Sequence, residues 1–258
     1  MREAVAIRGA MPLLCALLLA ACLIPLAAEA QRVDIGEGAT WQLDGANMDL
    51  DCAVLRIEGA VDAADGQIAG VGHLDLAGQL AATTAWLEVG GDWSNQGSFN
   101  AGSGTVAFSD RCNQPQTTLH GNSTFATLVM ESSRGKSYHF QSGATQSVTS
   151  ALRLSGAAGQ HLPIRSTTAG NRANLSLATS GSQQIDWVDV ADMAAPSGSA
   201  WLAAGLPTAF NSIDSGNNQR WFAPASLAPV LVPATSIWAL LGLAALMLLH
   251  AWRRPSAR

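Results

Sequence analysis

The chain carries little positive charge and few aromatic side chains, and both shortages restrict what it can bind. Lys136 is its only lysine, and only 6% of its 258 residues are aromatic. Between residues 31 and 225 there are 17 acidic and 9 basic residues, which gives a net charge of −8. A surface of that sign repels phosphate backbones, so we expect no nucleic-acid partner. Composition alone identifies no other ligand.

Motifs for metal binding or covalent catalysis are also missing. The histidines that precede the C-terminal apolar run are widely separated and show no metal-ligand spacing. No serine stands in a Gly-x-Ser-x-Gly motif, so no hydrolase nucleophile is predicted. The segment from Asp214 to Asn218 has oxygen ligands that suit Ca²⁺ but lacks the spacing of an EF-hand loop, so a turn is the favoured interpretation. We predict neither a metal nor a cofactor.

The one cluster of acids in the later part of the chain is Asp186, Asp189 and Asp192. Parallel β-helix enzymes often place such acids on one exposed face to cleave polysaccharides. On a strictly regular strand, however, Asp186 and Asp189 lie on opposite faces. A general acid and a general base must be positioned together, so this pattern does not predict an enzyme.

Cysteine is sparse, with four residues in the whole chain. Cys15 and Cys22 fall in an apolar N-terminal segment that we expect to be removed. Cys52 and Cys112 remain, and an oxidising compartment favours a disulfide between them. Two buried free thiols are the alternative.

Helical periodicity is absent between residues 31 and 225, and short strands take its place. Six segments have apolar residues at alternate positions, the pattern of a strand with one buried face. Gly, Asn and Ser follow most of them, where the chain must turn. The six segments are residues 55–59, 74–78, 87–91, 152–156, 175–177 and 188–190.

The spacing of these segments predicts stacked coils. Successive strand starts, taken at Leu55, Leu74, Leu87, Val106, Leu128, Leu152 and Leu175, are separated by 19, 13, 19, 22, 24 and 23 residues. Irregular repeats of about 20–25 residues are typical of a solenoid. We therefore predict an all-β fold, a right-handed parallel β-helix. A β-sandwich, whose strands recur about every 8–12 residues, is the alternative.

The N-terminus has the pattern of a secretory signal peptide. Basic residues precede an apolar stretch from residue 11 to residue 28, and Ala28-Glu29-Ala30 supplies a small-x-small cleavage site. We expect the export translocon and signal peptidase to process residues 1–30, with the cut between Ala30 and Gln31. A rival interpretation makes Cys22, after Leu19-Ala20-Ala21, the lipidated first residue.

The C-terminus contains a short polar motif, an apolar run and a basic tail. Pro233, Ser236 and Trp238 are followed by an uncharged run to residue 252 and then by Arg253 and Arg254. The run, extended by its uncharged neighbours, reaches the ~20 residues of a transmembrane helix. The two arginines indicate a cytoplasmic end. An ordinary membrane anchor explains the same features.

The order of these parts resembles the PEP-CTERM and IPTL-CTERM sorting signals of Gram-negative bacteria. Pro233, Ser236 and Trp238 match the spacing that both families share, whereas Ala234-Thr235 departs from both. The resemblance implies an exosortase-type membrane protease as partner. It also divides the chain into a signal peptide (1–30), a β-solenoid ectodomain (31–225), a linker (226–232) and a sorting signal (233–258).

A second resemblance lies in the ectodomain. Residues 90–102, with the sequence GGDWSNQGSFNAG, are similar to a segment of repetitive bacterial surface proteins, and the likeness extends roughly from Asp49 to Phe222. It implies a structural or interaction role at the cell surface, in contact with extracellular polysaccharide. A carbohydrate-binding adhesin with a strip of exposed tryptophans and a polysaccharide-active β-helix enzyme are the alternatives.

Overall fold

The computed structural model describes residues 31–222, and in this range every regular element except one 3-10 helix is a β-strand. The helix spans Pro207–Phe210. The strands are β1 (Arg32–Ile35), β2 (Thr40–Gln42), β3 (Asn47–Asp49), β4 (Val54–Ile57), β5 (Ala60–Asp62), β6 (Gln67–Val71), β7 (His73–Leu76), β8 (Gln79–Ala81), β9 (Trp86–Val89), β10 (Trp93–Asn95), β11 (Ser98–Asn100), β12 (Thr105–Phe108), β13 (Gln116–His120), β14 (Ser123–Glu131), β15 (Ser137–Phe140), β16 (Thr145–Ser155), β17 (Leu162–Ser166), β18 (Ala173–Leu177), β19 (Ser182–Asp186), β20 (Val188–Ala191), β21 (Met193–Ala194) and β22 (Ile213–Gly216).

The strands form a parallel β-solenoid of about eight turns. Sheet 1 has the order β1-β4-β7-β10-β13-β15-β17-β20-β22, and sheet 2 has the order β2-β5-β8-β11. Sheet 3 runs β3-β6-β9-β12-β14-β16-β18-β21, with β19 also paired to β16. Every ladder between these strands is parallel, so the predicted solenoid is confirmed and the β-sandwich alternative, whose sheets are antiparallel, is wrong.

From the second coil to the fourth the repeat is 19 residues, and two of the predicted steps are not repeats. The step from Leu152 to Leu175 is one of them, because Leu175 pairs with Gln146 of β16. Leu55 pairs with Leu74 in sheet 1, whereas Leu87 pairs with Ile68 and Val106 in sheet 3. The 13-residue gap from Leu74 to Leu87 is therefore a step from one sheet to another within a single coil. Period-2 alternation cannot reveal this, because it looks the same on every face of the coil.

A column of glycines fixes this register at one corner. A Cβ added to Gly78 would overlap the carbonyl oxygen of Gly59, and one added to Gly97 would overlap that of Gly78. Successive coils therefore approach each other so closely at this corner that only glycine fits. The spacing between these glycines is the 19-residue repeat itself.

The core is one continuous column inside the coils. Alternate residues of each strand point inward and stack on their counterparts, as Leu55, Leu74, Trp93 and Leu119 do in sheet 1. All four are at most 1% exposed. Each fully buried side chain of this kind contributes about 1.5–3 kcal/mol.

Candidate functional site

A groove lined by several charged residues lies where three strands of sheet 3 end. Because β12, β14 and β16 stack in register, the corner residues that follow them line up along the solenoid. The groove has a volume of about 350 Å³. It is lined by Ser109, Asp110, Glu131, Ser132, Ser133, Arg153, Ser155, Gly156 and Ala157. We call it the corner groove.

Two carboxylates and one guanidinium converge in the corner groove. The Oδ2 atom of Asp110 accepts hydrogen bonds from Ser132 Oγ (3.1 Å) and from the backbone N–H of Ser133 (3.0 Å). Glu131 forms an ion pair with Arg153. Stacking of the coils brings together acids that lie 21 residues apart in the sequence, and sequence analysis missed them because no local motif links them.

A buried lysine bonds to the backbone of one residue of this groove, Ser109. The side chain of Lys136 is 2% exposed, and its Nζ donates to the carbonyl oxygens of Gly90 (2.6 Å) and Ser109 (2.9 Å). Nζ also lies 5.5 Å from the centre of the Tyr138 ring. Burial lowers the pKa of Lys136 to about 8, although nearby carboxylates partly offset this effect.

The loop after β12 is fastened to earlier coils by a disulfide and by ion pairs. Cys112 is bonded to Cys52, the pairing expected from the sequence, with 5.5 Å between the two Cα atoms. Arg111 forms ion pairs with Asp49 of β3 and with Glu88 of β9. The backbone N–H of Asp51 donates a hydrogen bond to the Asp49 carboxylate, and this bond lowers the pKa of the Asp49 carboxyl. The hydrogen bond from Arg111 lowers it further. The loop therefore connects the first coil to the third and fourth.

The acid cluster that the sequence singled out does not form a site. Trp187 has a φ of 55°, so the chain turns there, and Asp186 and Asp189 lie in different sheets rather than on one regular strand. Asp186 accepts from Asn211 Nδ2 (3.0 Å), and Asp189 pairs with Arg165 (2.5 Å). Each carboxylate thus has a separate structural partner.

Asp192 and Asp214 likewise hold turns. Asp192 lies at the next corner, with a φ of 59°, and accepts from Asn217 Nδ2 (2.6 Å). Asp214 accepts from the backbone N–H of Gly216 (3.0 Å) and from Asn218 Nδ2 (2.7 Å). Within residues 31–222 no group of three or more His, Cys, Asp or Glu side chains is arranged to hold a metal.

The tryptophans of residues 31–222 are divided between core and surface and do not form a strip. Trp93 is fully buried and Trp221 nearly so, whereas Trp86 is 43% exposed. The sheet neighbours of Trp86 are Gln67 and Thr105, so no aromatic ring continues its column. This arrangement does not supply the aromatic strip that a carbohydrate-binding adhesin would need.

The GGDW segment builds the core beside a second groove. Trp93 packs edge-on against Phe99 (5.0 Å between ring centres), and Asn95 Nδ2 donates to Ser123 Oγ (3.0 Å). Sheet 2 stops at β11, which leaves a groove of about 340 Å³ between β11 and β14. Packing and hydrogen bonding inside the solenoid therefore explain why this motif contains Trp93, Asn95 and Phe99.

The residues proposed for sorting and processing lie outside the part of the chain that the structure describes. These are Ala30, Pro233, Ser236, Trp238, Arg253 and Arg254, while Gln31 is the first described residue. In residues 31–222 no helix is long and apolar enough to cross a membrane.

Comparison of the chain with protein-family models, with curated proteins and with solved structures gave no significant match.

Proposed function

We propose that this chain is an exported structural or interaction protein of the cell envelope. Its solenoid is exposed outside the inner membrane, and its C-terminal segment holds it there until an exosortase-type protease acts at the motif of Pro233, Ser236 and Trp238. The observation that carries the proposal is the Cys52–Cys112 disulfide, since such bonds persist in oxidising compartments outside the cytoplasm.

The solenoid suits a spacer or scaffold. With neighbouring strands about 4.8 Å apart, eight turns span about 38 Å. We infer right-handed coiling, because connections between parallel strands are right-handed in about 98% of cases. The partners that follow from this proposal are the export translocon, signal peptidase, the sorting protease, the membrane and an extracellular polysaccharide.

Intact-mass measurement of protein recovered from the native envelope tests the sorting step. We expect a chain that begins at Gln31 and ends near Pro233. A mass that includes Arg258 would instead indicate a permanent anchor. A Pro233→Ala, Ser236→Ala, Trp238→Ala variant should retain its C-terminus, whereas the matched change Ser226→Ala, in the linker, should leave processing unchanged.

The corner groove favours one other function, cleavage of a polysaccharide. It holds the convergent acids and arginine that the enzyme alternative requires, namely Asp110, Glu131 and Arg153. The test is release of reducing ends from purified bacterial exopolysaccharide. If the protein is such an enzyme, Asp110→Asn should abolish release, and Asp75→Asn, on the outer face of β7, should not. An inactive wild-type protein would eliminate this candidate.

A further inference from the structure

The first coil of the solenoid is open at its outer edge. Strands β1, β2 and β3 are the terminal strands of their sheets, and each is paired on one side only, with β4, β5 and β6. Four apolar side chains of this coil point toward the core but are only half-buried: Val33, Ile35, Trp41 and Met48. The residues stacked on them in the next coil are at most 2% exposed: Leu55, Ile57, Val61 and Ile68.

The opposite end of the described solenoid is closed by polar groups. Asp214 takes the position that stacks on Val190, and Asn218 Nδ2 donates both to Asp214 and to the carbonyl oxygen of Val190 (2.8 Å). Asn218 Oδ1 accepts from the backbone N–H of Met193 (3.0 Å). Terminal coils of solenoids need such polar caps, and within residues 31–222 the first coil has no equivalent.

The exposed edge of β1 is complementary in charge to itself. Its sequence places the exposed Arg32 and Asp34 on either side of Val33, and the two charges already form an ion pair (2.9 Å). If a second copy is related by a two-fold axis through Val33, the two β1 strands run antiparallel. Arg32 of each copy then faces Asp34 of the other, and Val33 faces its own counterpart.

The same axis exchanges the other two faces of the coil. A two-fold axis through the middle of sheet 1 places β2 of one copy against β3 of the other. Trp41 and Met48, half-buried in the single chain, then meet across the junction. The interface is isologous, which is the commonest arrangement of soluble homo-oligomers.

We propose that a second copy of this chain covers the open end, so that two solenoids join through their first coils. The proposal rests on the function proposed above, since removal of residues 1–30 leaves only Gln31 before β1. Unpaired strand edges of this kind pair readily with another chain. The junction supplies hydrogen bonds for three edges and burial for four apolar side chains at once.

Exchanging the charges of Arg32 and Asp34 tests the two-fold pairing. The sample is the full chain, produced with its own signal peptide and recovered in detergent. Dimerisation is measured by light scattering across a concentration series. We expect Arg32→Asp to weaken dimerisation by on the order of tenfold, because it places like charges opposite each other twice, and Asp34→Arg to do the same. The double exchange should restore it. A double variant as weak as the single ones would overturn the pairing.

A cysteine at the axis gives an independent test. Opposed residues of antiparallel strands lie about 4.5–5.5 Å apart between Cα atoms, which suits a disulfide. Val33→Cys should therefore yield a covalent dimer on a non-reducing gel. Ile213→Cys should not, although Ile213, at the other end, is 44% exposed.

Intact mass is measured on the same sample. A monomer that begins at Gln31 overturns the dimer alone, whereas a mass that retains residues 1–30 overturns the processing and the dimer together.

Discussion

Lys136 precedes β15, and its side chain joins the backbones of two earlier coils. Its Nζ binds the carbonyl oxygen of Gly90, which follows β9, and that of Ser109, which follows β12. A Lys136→Met variant keeps most of the packing volume but leaves both carbonyl oxygens without this donor. An unsatisfied buried acceptor costs about 1–3 kcal/mol, so we expect a loss of that size in the free energy of unfolding, measured in urea.

The same lysine predicts how stability depends on pH. Its pKa is about 8 in the folded protein and 10.5 when exposed, so the unfolded state binds more protons between these values. The free energy of unfolding should therefore rise from pH 8 toward pH 10, by at most about 1.4 kcal/mol per pH unit. Burial raises the pKa of Tyr138 far above 10, so stability should fall again above pH 10. Lys136→Met should lose the rise and keep the fall; an unchanged rise would contradict the assignment.

Gly90 is a position where the disulfide leaves no room for a side chain. A Cβ added there would lie 2.5 Å from the Sγ of Cys112. We expect Gly90→Ala to lower the free energy of unfolding by about 1–3 kcal/mol through overpacking. Gly36→Ala is the matched control, because a Cβ at Gly36 meets nothing within 4 Å. Equal thermal stability of the two variants would contradict this explanation.

At the scale of elements, the loop after β12 is the feature that links distant coils. It joins residues 60 positions apart through the Cys52–Cys112 bond and adds the two ion pairs of Arg111. The ion pairs involve exposed or partly exposed groups, and solvent screens their attraction. The disulfide is therefore the stronger of the two connections.

A Cys52→Ser, Cys112→Ser double variant measures that connection. In the chain-entropy model a closed loop of this length stabilises by about 4–5 kcal/mol, so the denaturant midpoint should fall accordingly. Reduced wild-type protein should match the variant, and Arg111→Gln should lose far less. In wild-type protein recovered from the envelope and alkylated without reductant, labelling of both thiols would refute the bridge.

At the scale of the whole molecule, burial depends on position along the solenoid. Ile35 and Ile57 are directly paired in sheet 1, yet Ile57 is fully buried and Ile35 is only half-buried. Ile57→Ala should therefore cost about 2–5 kcal/mol, and Ile35→Ala clearly less at low protein concentration. If two copies join through the first coil, the cost of Ile35→Ala should grow with protein concentration. Chemical unfolding at two concentrations measures both effects.

The sequence alone determined the local elements of this protein. Alternation of apolar residues identified strands such as β4, β7 and β20, and the turn residues after them indicated where the chain bends. The pair of cysteines, Cys52 and Cys112, followed from their number once the N-terminal two were set aside. The strand and turn inferences succeed because they depend on neighbouring residues, and the cysteine inference succeeds because only two cysteines remained to pair.

Only the tertiary structure decided which strands stack and which side chains meet. Leu74 and Leu87 belong to different sheets, and Trp187 turns the chain between two strands that a regular alternation would join. Asp110 and Glu131 come together because their coils stack in register, and the buried side chain of Lys136 reaches the backbones of two earlier coils. The physical reason is that the register depends on the angle of each corner. Close glycine contacts and residues with positive φ set that angle. Period-2 alternation carries no information about it.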